Sequence, residues 1–203
     1  PFDVAKQAID YILDHEDDFN TESVVWDFIG GEPFLEIDLI DRICDYLKTE
    51  MYRRNHHWFN SYRFSFSTNG INYHTEKVQK FIQKNRNHLS IGITIDGTRK
   101  KHDLNRIWKT AEMERGIMPK PSEERGSYED VVKNIPLWLK QFPNAGTKVT
   151  ISSADVPYIK ESVLHLYSLG IHEVNINVVF EDVWQEGDDN LFEEQLIQLA
   201  DAI

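Results

Sequence analysis

The sequence predicts an α/β chain, built as an open, partial parallel β/α barrel of about five strands with helices on the outside. Three observations carry this. Strand-like and helix-like periods alternate along the chain, each strand is two-faced, and Gly, Asn and Asp punctuate the strand ends. With 203 residues the chain is long enough for one α/β domain with a sizeable core, so a single domain over residues 1–203 is expected.

Phe2 to Leu13 opens the chain as a helix, with Val4, Ala8, Tyr11 and Ile12 on one face and Ile9 beside them. The acids Asp14, Glu16, Asp17 and Asp18 end it; acids oppose the dipole at a helix C-terminus, so fraying is expected there. His15 reads as a surface residue.

The first strand, residues 24–29, runs into Gly30, Gly31, Glu32 and Pro33. Two glycines without Cβ atoms open backbone conformations closed to other residues and let a ligand approach the main chain. Pro33 biases Glu32 toward an extended conformation. A bare pair of glycines would read as a tight strand-to-helix connection, but the added Glu-Pro favours a binding turn. Glu36 to Tyr52 then returns as a helix with Ile37, Ile40, Ile43, Cys44 and Leu47 inward. His56 and His57 have no acidic or cysteine partner at ligand spacing and read as surface or connecting residues.

Four more strands are expected near 62–68, 90–95, 147–152 and 174–180. Phe64, Phe66 and Thr68 alternate with Arg63, Ser65 and Ser67, and Ile91, Ile93 and Ile95 with Ser90, Gly92, Thr94 and Asp96. Val149 and Ile151 alternate with Lys148 and Thr150, and Val174, Ile176 and Val178 with Asn175 and Asn177. Helical patterns over Thr75 to Lys84, Tyr128 to Gln141 and Pro157 to Leu169 separate these strands and imply parallel crossovers. Parallel sheets covered on both faces are apolar on both, and these are not. A curved sheet resolves the conflict, its convex face against the helices and its concave face lining a wet pocket at the C-terminal strand ends. An antiparallel sheet with one solvated face is the alternative, and the intervening helices oppose it. On this reading Asp27 belongs to the concave face, where it meets a substrate or pairs with Arg63 or Lys148. Leu104 to Arg125 reads as an irregular loop, either a flap over the pocket mouth or a spacer.

Composition removes several function classes. There are 22 Lys and Arg against 34 Asp and Glu, a formal net charge of -12, which argues against a nucleic-acid partner. No apolar run reaches membrane-span length and no signal peptide opens the chain, so a soluble cytoplasmic protein without a membrane partner is expected. Cys44 is the single cysteine, which excludes an internal disulfide; in its helix it reads as a small buried hydrophobe.

Gly30-Gly31-Glu32-Pro33 after an apolar strand resembles the motif of radical S-adenosylmethionine enzymes that contacts the amino group of the cofactor's methionyl part. Ser67-Thr68-Asn69-Gly70, Thr94-Ile95-Asp96-Gly97, His102-Asp103-Leu104-Asn105-Arg106 and Gly126-Ser127-Tyr128 follow in the family's order. Together they are similar to the branch that modifies peptides and proteins, including the anaerobic sulfatase-maturing enzymes and the peptide maturases with a C-terminal cluster-binding extension. The resemblance implies S-adenosylmethionine and a [4Fe–4S] cluster as cofactors, and a 5′-deoxyadenosyl radical that takes hydrogen from a peptide or protein substrate. By the same resemblance Gly30, Gly31, Glu32 and Pro33 hold the ammonium end. Ser67, Asn69, Thr94 and Asp96 are the candidates for the ribose and carboxylate, and Asn177 with the backbone around Val178 for the adenine. Lys148 stands where relatives often carry arginine.

The family's cluster hangs on three cysteines in a Cys-x3-Cys-x2-Cys loop, and this chain has one. No metal ligand and no catalytic residue is therefore assigned, and the isolated chain is expected to be inactive. Pro1 at the start, and an end inside the periodic run Leu191 to Ile203, read as a fragment with the cysteine loop upstream, or as a degenerate relative. A cluster-less module that binds a peptide or partner in the same groove is the alternative function.

Overall fold

The computed structural model describes residues 1–15, 18–19, 21–107 and 126–203. Five strands lie among them, β1 Val24–Phe28, β2 Tyr62–Thr68, β3 Leu89–Ile93, β4 Thr147–Ile151 and β5 Val174–Val178. The helices are α1 Phe2–Asp14, α2 Ile37–Arg53, α3 Glu76–Asn85, α4 Arg99–Asn105, α5 Tyr128–Val132, α6 Ile135–Gln141, α7 Ile159–Ser168 and α8 Asp188–Ala200. The chain divides into two compact units, Pro1–Thr68 with Asn72–Ile91, and Asn69–Ile71 with Gly92–Ile203. The strands form a three-stranded sheet in the order β1-β2-β3 and a two-stranded sheet of β4 and β5, and no closed barrel.

In the first unit β1 and β2 run parallel, Val24 opposite Tyr62 and Phe28 opposite Phe66. Alternation along β2 buries Phe64, Phe66 and Thr68 and leaves Arg63, Ser65 and Ser67 more open, as the sequence pattern requires. Phe66 stacks on Phe28 at 4.8 Å between centroids and meets Phe81 of α3 edge-on at 5.4 Å. From α2, Ile37, Ile40, Cys44, Leu47 and Met51 form one buried stripe; each such side chain contributes roughly 1.5–3 kcal/mol of burial. Helix α1 departs from expectation. Its buried residues are Ile9 and Leu13, while Val4 and Tyr11 are exposed. Phe2, Ala5, Ile9, Ile12 and Leu13 also make a helical stripe, and it is this one that faces inward. Arg54, just past α2, pairs with Asp10 at 2.8 Å and with Asp14, offsetting the acids that end α1; Glu16 and Asp17 lie outside the described residues. His56, expected at the surface or in a connection, lies in the connection between α2 and β2 and is buried there, its Nδ1 accepting the Trp58 N–H at 3.2 Å.

In the second unit β4 and β5 are parallel, Thr147 opposite Val174 and Thr150 opposite Asn177. Thr147, Val149 and Ile151 are buried, Lys148 and Thr150 exposed. Between the chain leaving β3 and β4, side chains supply the hydrogen bonds that a ladder would. The Thr147 hydroxyl donates to the Ile93 carbonyl at 2.6 Å and accepts the Ile95 N–H at 3.1 Å. Asp96 Oδ1 accepts the Thr150 N–H at 3.1 Å. The helix expected over Tyr128 to Gln141 is two helices: Pro136, at the start of α6, has no N–H to continue α5. Gly97 sits at φ +119°, and a Cβ there would lie 2.3 Å from that of Ser162, so glycine lets α7 approach. Of the expected loop over Leu104 to Arg125, Leu104 and Asn105 belong to α4 and Ile107 bridges Gly126 in antiparallel fashion. The rest, 108–125, lies outside the described residues. Among the described residues no helix is long and apolar enough to cross a membrane.

Replacing Thr147 by Val keeps the shape and removes the hydroxyl, leaving the Ile93 carbonyl and Ile95 N–H without their partner. A loss of about 1–3 kcal/mol is expected in chemical denaturation, against less than about 1 kcal/mol for Thr147→Ser. Equal costs for the two would mean that the hydroxyl does not hold β4 in place.

Candidate functional site

The Gly-Gly-Glu-Pro turn closes the C-terminal end of β1 in the first unit. Gly30 has φ +91° and Gly31 φ +51°, and a Cβ on either would meet nothing within 4 Å. Conformation rather than crowding therefore requires glycine here, and the turn presents exposed main chain. Glu32 is extended at φ -125°, ψ 105°, as the following Pro33 requires. Its Oε1 accepts the Phe34 N–H at 3.0 Å and the Thr68 hydroxyl at 2.6 Å. Glu32 thus caps the short helical turn Pro33–Glu36, anchored by buried Pro33 and Phe34, and ties the end of β1 to the end of β2. Ser67 is half-buried on the face of β2 opposite Thr68. Asp27 is exposed and opposite Ser65. The expected pairing with Arg63 is not made: Arg63 donates to the Leu89 carbonyl at 3.1 Å and the Ser90 hydroxyl at 3.2 Å.

The other candidates belong to the second unit. Asn69 Oδ1 accepts the Ile71 N–H at 2.9 Å, forming an Asx turn with Gly70 at φ +74°. Asn134 Nδ2 donates to the Gly70 carbonyl at 2.8 Å and holds that turn. Thr94 is half-buried between Ile93 and Ile95, and Asn177 is exposed on β5. Asp96 is 1% exposed. Its carboxylate takes two bonds from Arg106, one of them from Nη2 at 3.2 Å, besides the one from Thr150. Burial alone would push this carboxyl up; Arg106 and Lys101 instead hold it below the usual aspartate range. The second unit so brings Asp96 and Asn177 to either side of Thr150, while in the first Gly30–Pro33 follow β1 and Ser67 lies near the same end of its parallel neighbour β2.

A connected polar core surrounds Asp96. Lys101 is 1% exposed, donates to the Thr150 carbonyl at 2.6 Å and lies 3.6 Å from Asp155. Burial pushes its ammonium below the ordinary lysine value against the pull of Asp96 and Asp155. Asp155 also accepts from Asn105 at 3.1 Å and from the Ser152 N–H and hydroxyl. Asp103 accepts the Tyr128 N–H at 3.0 Å, and a Cβ on Gly126 would collide with its carboxylate. Every polar member of the stretch His102 to Arg106 therefore has a local structural partner. Sequence reasoning had quoted Thr68 and Arg106 within its motifs without giving either a role, and had not singled out Lys101 or Asp155, for which the only available signal was the presence of the flanking motifs.

His102 and Ser127 lie 3.0 Å apart but do not form an activated nucleophile. His102 Nδ1 accepts the Asp96 N–H at 3.2 Å, so the proton of the neutral ring is on Nε2 and points to Ser127. Neither ring nitrogen is left to take the serine proton, and both residues are buried. Burial pushes the His102 pKa down to about 4. Among the described residues no group of acids, histidines and cysteine is placed to hold a metal ion. Cys44 is buried in α2, and burial pushes its thiol well above the usual cysteine range.

No protein-family model matches the chain. An uncharacterized protein of Methanocaldococcus jannaschii is 26% identical over 181 residues, covering 88% of this chain and 52% of that protein. Among solved structures, the anaerobic sulfatase-maturating enzyme anSMEcpe, a radical S-adenosylmethionine protein, superposes with its AdoMet complex at TM-score 0.68 and 16% identity, over 98% of this chain and 50% of that one. Its complex with AdoMet and the Kp18Cys peptide gives TM-score 0.67 at 16% identity, over 98% and 51%. The chain thus spans about half the length of the relatives it matches. This likeness shows that the chain has the fold of a radical S-adenosylmethionine protein.

Since the unfolded imidazole protonates near pH 6.5 and folded His102 stays neutral to about 4, its contribution is complete above pH 6.5. It is lost as pH falls toward 4, by about 3 kcal/mol. Urea midpoints measured from pH 7 to 4 should fall, and the slope should be shallower in His102→Asn. An unchanged slope would mean that His102 does not titrate as described.

Proposed function

We propose that this chain is the core of a radical S-adenosylmethionine enzyme that modifies a peptide or protein. The observation that carries the reading is the Gly30-Gly31-Glu32-Pro33 turn. It is exposed, open above both glycines, and stands at the C-terminal end of a strand in a fold matched to AdoMet-bound structures. The cofactor's ammonium would lie against the main chain of Gly30 and Gly31, with Glu32 held in place by the Phe34 N–H and Thr68. Ser67, Asn69, Thr94 and Asn177 remain the proposed polar contacts for its other groups. Asp96 would act by fixing Arg106 and Thr150, since its carboxylate is already committed to them.

If bound, S-adenosylmethionine would supply a sulfonium as the reactive group, held by the Gly30-Gly31-Glu32-Pro33 turn. The chain's own part is to bind and orient it and to exclude competing reactions. A [4Fe–4S] cluster does not fit the residues present: the single cysteine is buried, and three thiolates are needed. No step through a cluster is therefore derived for these 203 residues. That same cysteine favours a second reading, a cluster-less module that binds a peptide on this fold.

Equilibrium dialysis with labelled S-adenosylmethionine tests the cofactor assignment. Glu32→Ala should weaken binding by about tenfold or more, while costing about 1–2 kcal/mol in stability for the lost cap. No measurable binding by the parent chain, or a cost seen only in folding, would leave the turn purely structural. Anaerobic reconstitution of the protein with any cysteine-bearing segment it carries, followed by assay for 5′-deoxyadenosine, decides between enzyme and binding module.

A further inference from the structure

Beside the Val178 backbone that the cofactor reading gives to the adenine, the chain carries an apolar cavity of about 600 Å³ under the segment leaving β5, lined by Val178, Trp184, Gly187 and Phe192 and rimmed by Glu186 and Asp189. We propose that it is a docking groove for a basic peptide segment that inserts one apolar side chain. The inference deepens the peptide-modifying reading and rests on it for taking the occupant to be a peptide.

Strand alternation puts the groove on the other face of β5 from the proposed side-chain contact, Asn177. Val178 is opposite buried Ile151, whereas Asn177 is opposite exposed Thr150. The floor is held in place, because Trp184 donates its indole N–H to the Val179 carbonyl at 2.9 Å, and Asp188 accepts the Gln185 N–H at 2.7 Å. Apolar surface continues beyond the cavity: Phe180 is 97% exposed, and Val178 and Val183 are also open to solvent.

Charge identifies the occupant. From Glu161 to Ile203 the sequence holds ten Asp and Glu and no Lys or Arg. Glu186 and Asp189 are exposed, and no ion pair involves either among the described residues. A lysine- or arginine-bearing segment meets this field favourably, and an apolar anchor removes the cavity's surface from water. An acidic partner would be repelled, and a neutral one would leave the carboxylates uncompensated.

The test is fluorescence anisotropy on the 203-residue chain, without iron, sulfide or S-adenosylmethionine, so that failure of docking is separable from failure of the radical reading. The probe is a short labelled peptide of lysines flanking a Leu-Phe pair; its controls are the same peptide with glutamates for lysines and a lysine-only peptide. Saturable binding is expected for the probe alone, weakening by about tenfold in the double variant Glu186→Gln, Asp189→Asn and as salt is raised. Phe192→Ala should weaken it similarly, with circular dichroism checking the fold of both variants. Equal binding of the lysine-only peptide would reduce the groove to an unselective acidic surface and overturn the proposal. Displacement by S-adenosylmethionine would assign the groove to the cofactor. Absence of peptide binding, with self-association that Phe180→Ser abolishes, would assign it to a second copy of the chain.

Discussion

A carboxylate buried at 1% exposure has to be compensated, and the second unit is arranged around how Asp96 meets that requirement. Arg106 neutralises it, Thr150 gives it a backbone N–H, and Lys101 reaches the carbonyl of that same Thr150. Both backbone groups of one β4 residue are thus satisfied by side chains from the segment following β3. His102 reads the same segment from its other side through the Asp96 N–H. Removing Arg106 would strand a buried anion, so the two charges depend on each other.

The first unit is held differently. Its core is aromatic and aliphatic, with Phe66 between Phe28 and Phe81, and polar hydrogen bonding concentrates at the strand ends. There Glu32 does two jobs with one oxygen, capping the turn that follows it and receiving Thr68 from the neighbouring strand. The exposed glycines are fixed from behind by this bond and by buried Pro33 and Phe34, a supported shell of the kind a binding turn requires.

Much of this was legible in the residues, for identifiable reasons. Period-2 alternation located β2 and β4 and told their buried faces from their open ones, because one side meets helices and the other does not. Alternation carries no information about hydrogen-bond ladders, so the division into three strands and two, with Thr147 bridging to Ile93 and Ile95, was out of reach. Helix α1 offered two apolar stripes, and only packing chose Ile9 and Leu13. The glycine turn was legible because backbone requirements write themselves into sequence as Gly and Pro. Partnerships such as Glu32 with Thr68, or Asn105 with Asp155, join residues 36 and 50 positions apart and left no local trace. His102 and Ser127, which proximity alone would suggest as a catalytic pair, are excluded from that role by the direction of one backbone N–H.

The acidic rim around the end of β5 has a consequence for the chain's behaviour at high concentration. Among the described residues β5 pairs only with β4, and it leads to bare Phe180, a combination that invites strand-to-strand aggregation. Glu181 and Asp182 follow at once, with Glu186 and Asp189 beyond, placing like charges wherever two copies would bring these edges together. The carboxylates stand as gatekeepers, and replacing them by amides should lower the solubility of the chain more than its folding stability.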